Sequence, residues 1–267
     1  KLYMAVSKRE SVLWAVYDPE MDRTSYLMGT MHLKSSKAYS YALLAEKYVP
    51  LTDRYAGEMN LDAAEQADLH QHFRFLPDQS LSDFYTKRQY KRMSSIFYKV
   101  TGTKLSQVEN LKPMAISNII AESFVDVENE LALDHHLWNY ALKLDKELYG
   151  LESVQDQIEI LASIPMKYQV TSLKQVLRNV NKYGKSITIL GNLYAEGRFH
   201  KLYRKSKKSL GSLRLLMLYR RNKNMVNRFV ELSADMSLFA AVGAAHLAGK
   251  NGMFHLLTDK GFQITPI

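Results

Sequence analysis

The feature that most constrains the fold of this chain is a pair of short apolar segments, one near each end. Residues 25–32 and 238–246 each run into a glycine that is followed three residues later by a histidine. Each apolar run is too short for a typical helix and has the residue types of a strand that is buried on both faces. The repeated GxxH motif is therefore the main clue to both fold and function.

Each GxxH motif is predicted to place its histidine just past the carboxyl end of a strand. Glycine permits an abrupt change of chain direction because it tolerates positive φ, and it lets other backbone approach closely. Ligands of open α/β sheets bind at this edge, and histidine is the commonest metal ligand in proteins. His32 and His246 are therefore the first candidate site residues.

Apolar spacing and turn residues predict the remaining elements. A hairpin is predicted within residues 12–28, with further strands at 53–58, 146–152 and 262–265. Helices are predicted at 40–48, 87–101, 112–124, 131–144, 153–164, 166–182, 187–195, 213–232 and 253–259. The chain is expected to be α/β, with a mixed central β-sheet flanked by helices. We expect one domain over residues 1–267, with a large helical insertion, about 61–145 and 153–232, as a lid or substrate wall.

Two predicted strands end in a glutamate, Glu58 and Glu152, at positions comparable to those of the two histidines. If the four strands are neighbours in one sheet, the four side chains converge at one edge. Such a set suits a divalent ion such as Mn, Co, Fe or Zn. The ion would lower the pKa of a bound water to about 7 and polarise a carbonyl, with the spare glutamate as general base. The alternative is that these residues only cap turns and helices.

Composition and motif searches exclude several kinds of site. The chain has no cysteine, so disulfides, cysteine-ligated zinc and thiol nucleophiles are excluded. No GxSxG sequence supports a serine hydrolase. His70 with His72, and His135 with His136, are interpreted as structural, because adjacent side chains on a helix point in different directions.

The positive charge of the chain is concentrated in one segment. The net charge is +9, and residues 200–228 hold ten lysines and arginines but no acid. Such a segment suits a phosphate, nucleic-acid or anionic-membrane contact, or it is only the solvated face of a helix. No aromatic stacking pattern accompanies the charges, so no specific nucleic acid is expected. Arg221 could reach the sheet edge and hold a carboxylate or an oxyanion, or it is one cation among many.

Several short motifs occur in an order that is known from one family. They lie at residues 26–32, 57–61, 111–113, 150–157, 221–225 and 242–252. Together they resemble the TraB/PrgY/GumN family, which includes the Tiki proteases, from about Trp14 to the last strand. The paired GxxH motifs with LExxxxQ and RNxxM between them make the resemblance specific. Asn60 departs from it, since many members have aspartate there, and the change removes either a ligand or only a hydrogen bond behind one.

The resemblance implies a metal-dependent hydrolase, a Tiki-like metallopeptidase acting on the amino-terminal regions of peptides or proteins. The family's proposed catalytic set carries over onto His32, Glu58 and His246, which are expected to bind Mn, Co or Zn. The residues expected to take part in catalysis are Glu58, Glu152, Arg221 and Asn222. Metal binding or water activation is expected of Glu152, and contact with an oxyanion or carboxylate is expected of Arg221.

The resemblance leaves a second function open, because one fold can host several activities. The alternative is a non-catalytic regulator that binds a peptide or pheromone in the same cleft. The expected partners are a peptide or protein substrate and, through residues 200–228, an anionic surface. Members are often exported, so we expect the cell envelope or a membrane anchor, with the signal or anchor absent from this chain. Its start at Lys1, without an apolar leader, is interpreted as a trimmed product.

Overall fold

The computed structural model describes residues 11–32, 34–125, 129 and 131–267 of the chain. Its centre is a six-stranded mixed sheet with the strand order β4-β3-β5-β2-β1-β6. The strands are β1 (Leu13–Asp18), β2 (Arg23–Thr30), β3 (Arg54–Met59), β4 (Glu147–Glu152), β5 (Leu238–Gly243) and β6 (Gln263–Pro266). The predicted α/β fold with a mixed sheet is confirmed.

Four neighbouring strands of the sheet are parallel. β4, β3, β5 and β2 pair in parallel, while β1 and β6 add antiparallel pairings beyond β2. β1 and β2 form the predicted hairpin, whose turn holds Asp22 at positive φ. The carboxyl ends of β2, β3, β4 and β5 therefore meet at one edge of the sheet, where α/β folds bind ligands.

Helices cover the sheet and fill the long segments between its strands. The α-helices are α1 (Ala42–Tyr48), α2 (Leu61–Gln66), α3 (Lys87–Thr101), α4 (Pro113–Glu122), α5 (Leu133–Lys143), α6 (Val154–Ser163), α7 (Met166–Arg178), α8 (Val180–Ala195), α9 (Phe199–Leu210), α10 (Arg221–Ser233) and α11 (Met253–Thr258). The segments expected to be inserted helices thus hold α2 to α5, between β3 and β4, and α6 to α10, between β4 and β5. No helix in the described residues has the length and apolar character to cross a membrane.

The helices differ from prediction mainly between residues 179 and 220. Asn179 leaves the helical backbone conformation, so the helix predicted at 166–182 ends at Arg178 and α8 starts immediately afterwards. Asparagine competes for helical backbone groups, and its side chain bonds to the Gln175 carbonyl. The segment predicted as one helix, 213–232, is helical over nearly its whole length, but it is not a single α-helix. A wider π-helical turn, Leu215–Arg220, precedes α10.

The main apolar core includes the sheet, and a smaller core joins α3, α4 and α7. Every residue of β5 up to Val242 is buried, which explains why this strand carries no charge. Phe239 stacks on Tyr55 of β3 with ring centroids 5.8 Å apart. Burying such an apolar side chain contributes about 1.5–3 kcal/mol. The smaller core contains Phe97, Ile116 and Leu173, so the inserted helices pack on one another as well as on the sheet.

Candidate functional site

Two histidines face one carboxylate oxygen at the carboxyl edge of the parallel strands. Nε2 of His32 lies 3.9 Å from Oε1 of Glu58, and Nε2 of His246 lies 3.6 Å from the same oxygen. His32 follows β2, Glu58 lies in β3, and His246 ends the 3₁₀ turn Ala244–His246 after β5. The parallel order of these strands brings together residues that are far apart in sequence.

Each histidine is held from behind by an oxygen acceptor. Nδ1 of His32 lies 2.8 Å from Oδ2 of Asp134, in the first turn of α5. Nδ1 of His246 lies 2.6 Å from Oδ1 of Asn222. Asn222 donates from Nδ2 to the carbonyl of Asn251, which leaves its oxygen for the imidazole. An acceptor at Nδ1 keeps a proton on that nitrogen and directs Nε2 toward Glu58.

Arg221 joins the Glu58 carboxylate to the second predicted glutamate, Glu152. Its Nη2 donates to Oε2 of Glu58 at 2.8 Å and to Oε2 of Glu152 at 2.6 Å. Its Nε group lies 3.0 Å from each oxygen of Glu152. Gln157 donates a further 2.7 Å bond to Glu152. Burial would lower the pKa of Arg221, but the two carboxylates raise it, so the guanidinium stays charged.

The two histidines of the site have different protonation states, because their surroundings shift their pKa values in opposite directions. Burial lowers the pKa of His246 to about 4, so this imidazole is neutral at neutral pH. Lost hydration opposes protonation of His32 too, although its side chain is 56% exposed, but Asp134 and Glu58 raise its pKa well above the ordinary value. Burial would raise the pKa of Glu58, yet His246, Arg221 and His32 hold it well below the usual range. Glu58 is therefore an ionised carboxylate.

The glycines of the two GxxH motifs serve close packing. Neither Gly29 nor Gly243 has a positive φ, so the expected role in an abrupt left-handed turn is wrong. A Cβ at Gly29 would lie 3.0 Å from the side chain of Ala244. A Cβ at Gly243 would lie 2.9 Å from Oε1 of Glu58, to which the Gly243 N–H donates. The expected close approach is what requires glycine at these positions.

Two cavities flank the histidine pair. One, of about 160 Å³, lies toward Trp138 and Asp134, and the other, of about 240 Å³, lies toward α8 and α9. Thr30, His32 and Glu58 line both cavities. The cluster therefore stands between two spaces that a bound chain could occupy.

Glu152 lies apart from these cavities. It lines neither of them, and its side chain is 1% exposed behind Arg221. Burial raises the pKa of Glu152, and Arg221 opposes that shift. Glu152 lies at the end of β4, at the edge where the strand ends were predicted to converge. Its side-chain contacts with Arg221 indicate that it holds the guanidinium in place.

Asn60, where the resemblance implies aspartate, caps a helix. Its Oδ1 accepts a 2.9 Å hydrogen bond from the N–H of Ala63 at the start of α2. Asparagine and aspartate are about equally good at this position. Asn60 lines a different cavity from the histidines, along β4. The contacts of Asn60 are therefore those of a helix cap.

Asp134 is the site residue that sequence reasoning missed. Its contact with His32 joins the end of β2 to the first turn of α5 across about a hundred residues, so no sequence spacing indicates it. The neighbouring pair His135 and His136 was interpreted as structural, and His136 bonds to Glu46 at 2.6 Å. Only the packing of α5 beside the sheet makes Asp134 a partner of His32.

The donor types at this site fit a divalent cation. Ligand atoms around a tetrahedral zinc ion lie about 3.4 Å apart, and the two nitrogens lie 3.6 and 3.9 Å from Oε1 of Glu58. The spacing is thus a few tenths of an ångström wider than in a closed site. Within the ranges described above, no group of three His, Asp or Glu side chains stands in metal-binding positions.

Comparison with known proteins assigns the chain to a family. Residues 12–266 match the model of the TraB/PrgY/gumN family, which is nearly the whole chain. No curated protein and no solved structure gives a match. The match includes both GxxH motifs and every residue of the site described above. The chain therefore belongs to the TraB/PrgY/gumN family.

Proposed function

We propose that this protein is a metal-dependent hydrolase of peptides, with His32, Glu58 and His246 as the ligands of Mn, Co or Zn. One observation carries the proposal: both imidazoles direct Nε2 at the same Glu58 oxygen while an acceptor holds each Nδ1. Histidine ligands of metals are oriented in this way by carboxylate or carbonyl partners. Asp134 and Asn222 are those partners here.

The charges at this point favour a bound cation. Neutral His246 offers a lone pair, and ionised Glu58 offers a negative oxygen, so two acceptors face each other at 3.6 Å. Two hydrogen-bond acceptors that face each other in a buried site need a proton or a cation between them. Protonated His32 can supply one donor, but its side chain is 56% exposed and free to release that proton when an ion binds. The site can thus exchange a proton for a metal.

The cation would supply polarisation of a substrate carbonyl and a water of lowered pKa. Glu58, held ionised by Arg221, would be the negatively charged ligand of that cation, because Arg221 occupies Oε2 and Oε1 faces the histidines. Asn222 orients His246, and Asp134 orients His32. The contacts of Glu152 and Arg221 support positioning roles: Glu152 fixes Arg221, and Arg221 fixes Glu58.

A peptide substrate is supported by the space around the site. Cavities on both sides of the cluster would hold the residues that precede and follow a scissile bond. The family resemblance further suggests that cleavage occurs in the amino-terminal region of the substrate. We also propose that the protein is exported to the cell envelope.

A non-catalytic peptide-binding function has one observation in its favour. Both oxygens of Glu58 already accept protein donors, Gly243 N–H on Oε1 and Arg221 on Oε2. A carboxylate satisfied in this way could serve only to hold the two strands and the imidazoles in place. A bound peptide would then be retained without being cut.

Calorimetric titration with Mn, Co and Zn tests the proposal directly. The wild type is expected to bind one ion, and His246→Ala is expected to lose that site. His255→Ala is the matched control, because His255 is a partly exposed histidine of α11 that contacts Asp259 and lies outside the site. A wild type that binds none of the three ions, or a His246→Ala variant that binds as before, would refute the metal centre.

Cleavage of a peptide library with the best metal then separates the two functions. We expect products cut near the amino terminus, and about a hundredfold or greater loss of kcat in Glu58→Gln, through its weakened metal site, with peptide affinity retained. If the wild type binds peptides and never cuts them, whereas His32→Ala and His246→Ala bind less tightly, the regulator is the correct function.

A further inference from the structure

Helix α9 (Phe199–Leu210) carries a stripe of cations on its solvent face. Lys201, Arg204, Lys205 and Lys208 are all exposed. They are spaced i, i+3, i+4 and i+7, so they lie on one side of the helix. The opposite side buries Phe199, Leu202 and Tyr203 in the main core. The helix is therefore amphipathic, with its apolar side already occupied.

The stripe has no counter-charge among the described residues. None of its four cations forms an ion pair there. Arg214, Arg220 and Lys223 are exposed further along the same segment. Holding so many like charges on one surface costs electrostatic free energy, which an anionic partner would recover.

Apolar side chains stand next to the cations where α9 ends. Gly211, at φ +52, ends the helix, and the chain turns through the segment that precedes the π-helical turn. Leu215 is 53% exposed there, and Leu213 and Leu216 are only partly buried. The exposed leucines beside the stripe could enter the headgroup boundary of a membrane while the cations contact its phosphates. Sites for single-stranded nucleic acids combine such cations with aromatic stacking side chains, whereas this corner offers leucines.

We propose that the surface formed by the α9 stripe and the 211–216 corner, here called the basic surface, docks on an anionic lipid bilayer. The lysines and arginines would contact lipid phosphates, and Leu215 would enter the headgroup boundary. This proposal goes beyond the proposed hydrolase and does not depend on it.

The position of α9 links the basic surface to the site. The helix packs against the Ala244–His246 turn, and Leu202 and Ser206 line the cavity of about 240 Å³ beside His246. The lipid-facing side and the site-facing side of α9 are different faces of the same helix. Docking would therefore hold the site next to the bilayer, where the partner it receives would be attached to or emerging from the membrane.

Vesicle flotation with the whole chain tests the proposal. Vesicles of phosphatidylcholine with about a third phosphatidylglycerol are compared with pure phosphatidylcholine. The test variant changes the four cations of the stripe to glutamine. At roughly fivefold per charge, the quadruple change is expected to weaken binding about several hundredfold.

The matched control removes four exposed cations from α3, namely Lys87, Arg88, Lys91 and Arg92. It lowers the net charge equally and is expected to bind as the wild type does. Leu215→Ser is expected to weaken vesicle binding about tenfold. Most of this loss should be in the apolar component of binding, which high salt does not screen.

Three results would overturn the proposal. The first is equal affinity for neutral and anionic vesicles. The second is an equal loss of binding in the α9 and α3 variants, which would show a net-charge effect. The third is binding to single-stranded RNA but not to anionic vesicles, which would assign the surface to a nucleic acid. Circular dichroism of each variant confirms that its fold is intact before binding is compared.

Discussion

Arg221 and Glu58 form a charge-assisted hydrogen bond of 2.8 Å that occupies one carboxylate oxygen and leaves the other facing the histidines. The same guanidinium holds Glu152, so one buried cation pairs with two buried carboxylates and partly neutralises them. This arrangement places a negative oxygen between two imidazoles without leaving an unpaired charge in the core. The site therefore depends on Arg221 even if Arg221 never contacts a substrate.

Replacing Arg221 by methionine should destabilise the fold strongly, because two buried carboxylates lose their counter-charge. We expect the free energy of unfolding in urea to fall by about 3–5 kcal/mol. Adding Glu152→Gln should recover part of that loss. Arg228→Met, which removes a partly exposed partner of Glu231, should cost less than about 1 kcal/mol. Equal losses in Arg221→Met and Arg228→Met would contradict the neutralising role.

Adding a methyl group at Gly243 should damage the site more than the fold. The new Cβ would stand 2.9 Å from Oε1 of Glu58 and push the carboxylate away from the histidines. We expect Gly243→Ala to lower metal affinity about tenfold or more and to cost about 1–3 kcal/mol of stability. Both are measured, by calorimetry and by urea unfolding.

Gly191→Ala in α8 is the control for this substitution. Its Cβ would meet only Lys37 at 3.6 Å, and alanine favours the helix by up to about 1 kcal/mol. It should keep full metal affinity. An unchanged metal affinity in Gly243→Ala would show that the close approach of Gly243 and Glu58 has no part in binding.

In the metal-free protein, stability should depend on pH in opposite directions through the two histidines. The pKa of His246 is lowered to about 4 by burial, so the unfolded chain binds more protons between pH 4 and about 6.5. Stability should therefore fall, by about 3 kcal/mol, as the pH drops through this window. The pKa of His32 is raised, so its contribution is present below about pH 6.5 and is lost as the pH rises through its folded pKa.

Urea unfolding in the presence of a chelator, at a series of pH values, measures both effects. The combined profile should have its maximum near pH 6.5. His246→Asn should reduce the pH dependence of the unfolding free energy below about pH 6.5. His32→Asn should reduce that dependence above about pH 6.5. A profile of His246→Asn that still falls as steeply as that of the wild type between pH 6.5 and 4 would show that His246 is not the group responsible.

Asn60 should respond as a helix cap. Asn60→Ala removes the acceptor for the Ala63 N–H and should cost about 1 kcal/mol. Asn60→Asp should be close to neutral, since aspartate caps equally well. Neither change should alter metal affinity. A tighter metal site in Asn60→Asp would show instead that the position supports a ligand.

Much of the strand pattern could be predicted because it depends on local chemistry. The strand ending at Glu58 and the strand ending at Glu152 were both located from short apolar runs with turn residues around them. The break at Asn179 and the helix from Phe199 to Leu210 were missed. In these segments lysines, leucines and tyrosines continue across the boundaries, and a single asparagine or glycine ends the helix.

By itself the sequence determined the α/β class, the place of both GxxH motifs at strand ends and the family, since strand length and ordered motifs are properties of short segments. It also named His32, Glu58 and His246 as the residues to examine. Tertiary structure alone decided which carboxylates Arg221 holds, that Asp134 orients His32, and that close packing without a left-handed turn is what the motif glycines provide. These are contacts between segments separated by up to about two hundred residues. Their distances follow from how the helices pack on the sheet, which no local pattern encodes.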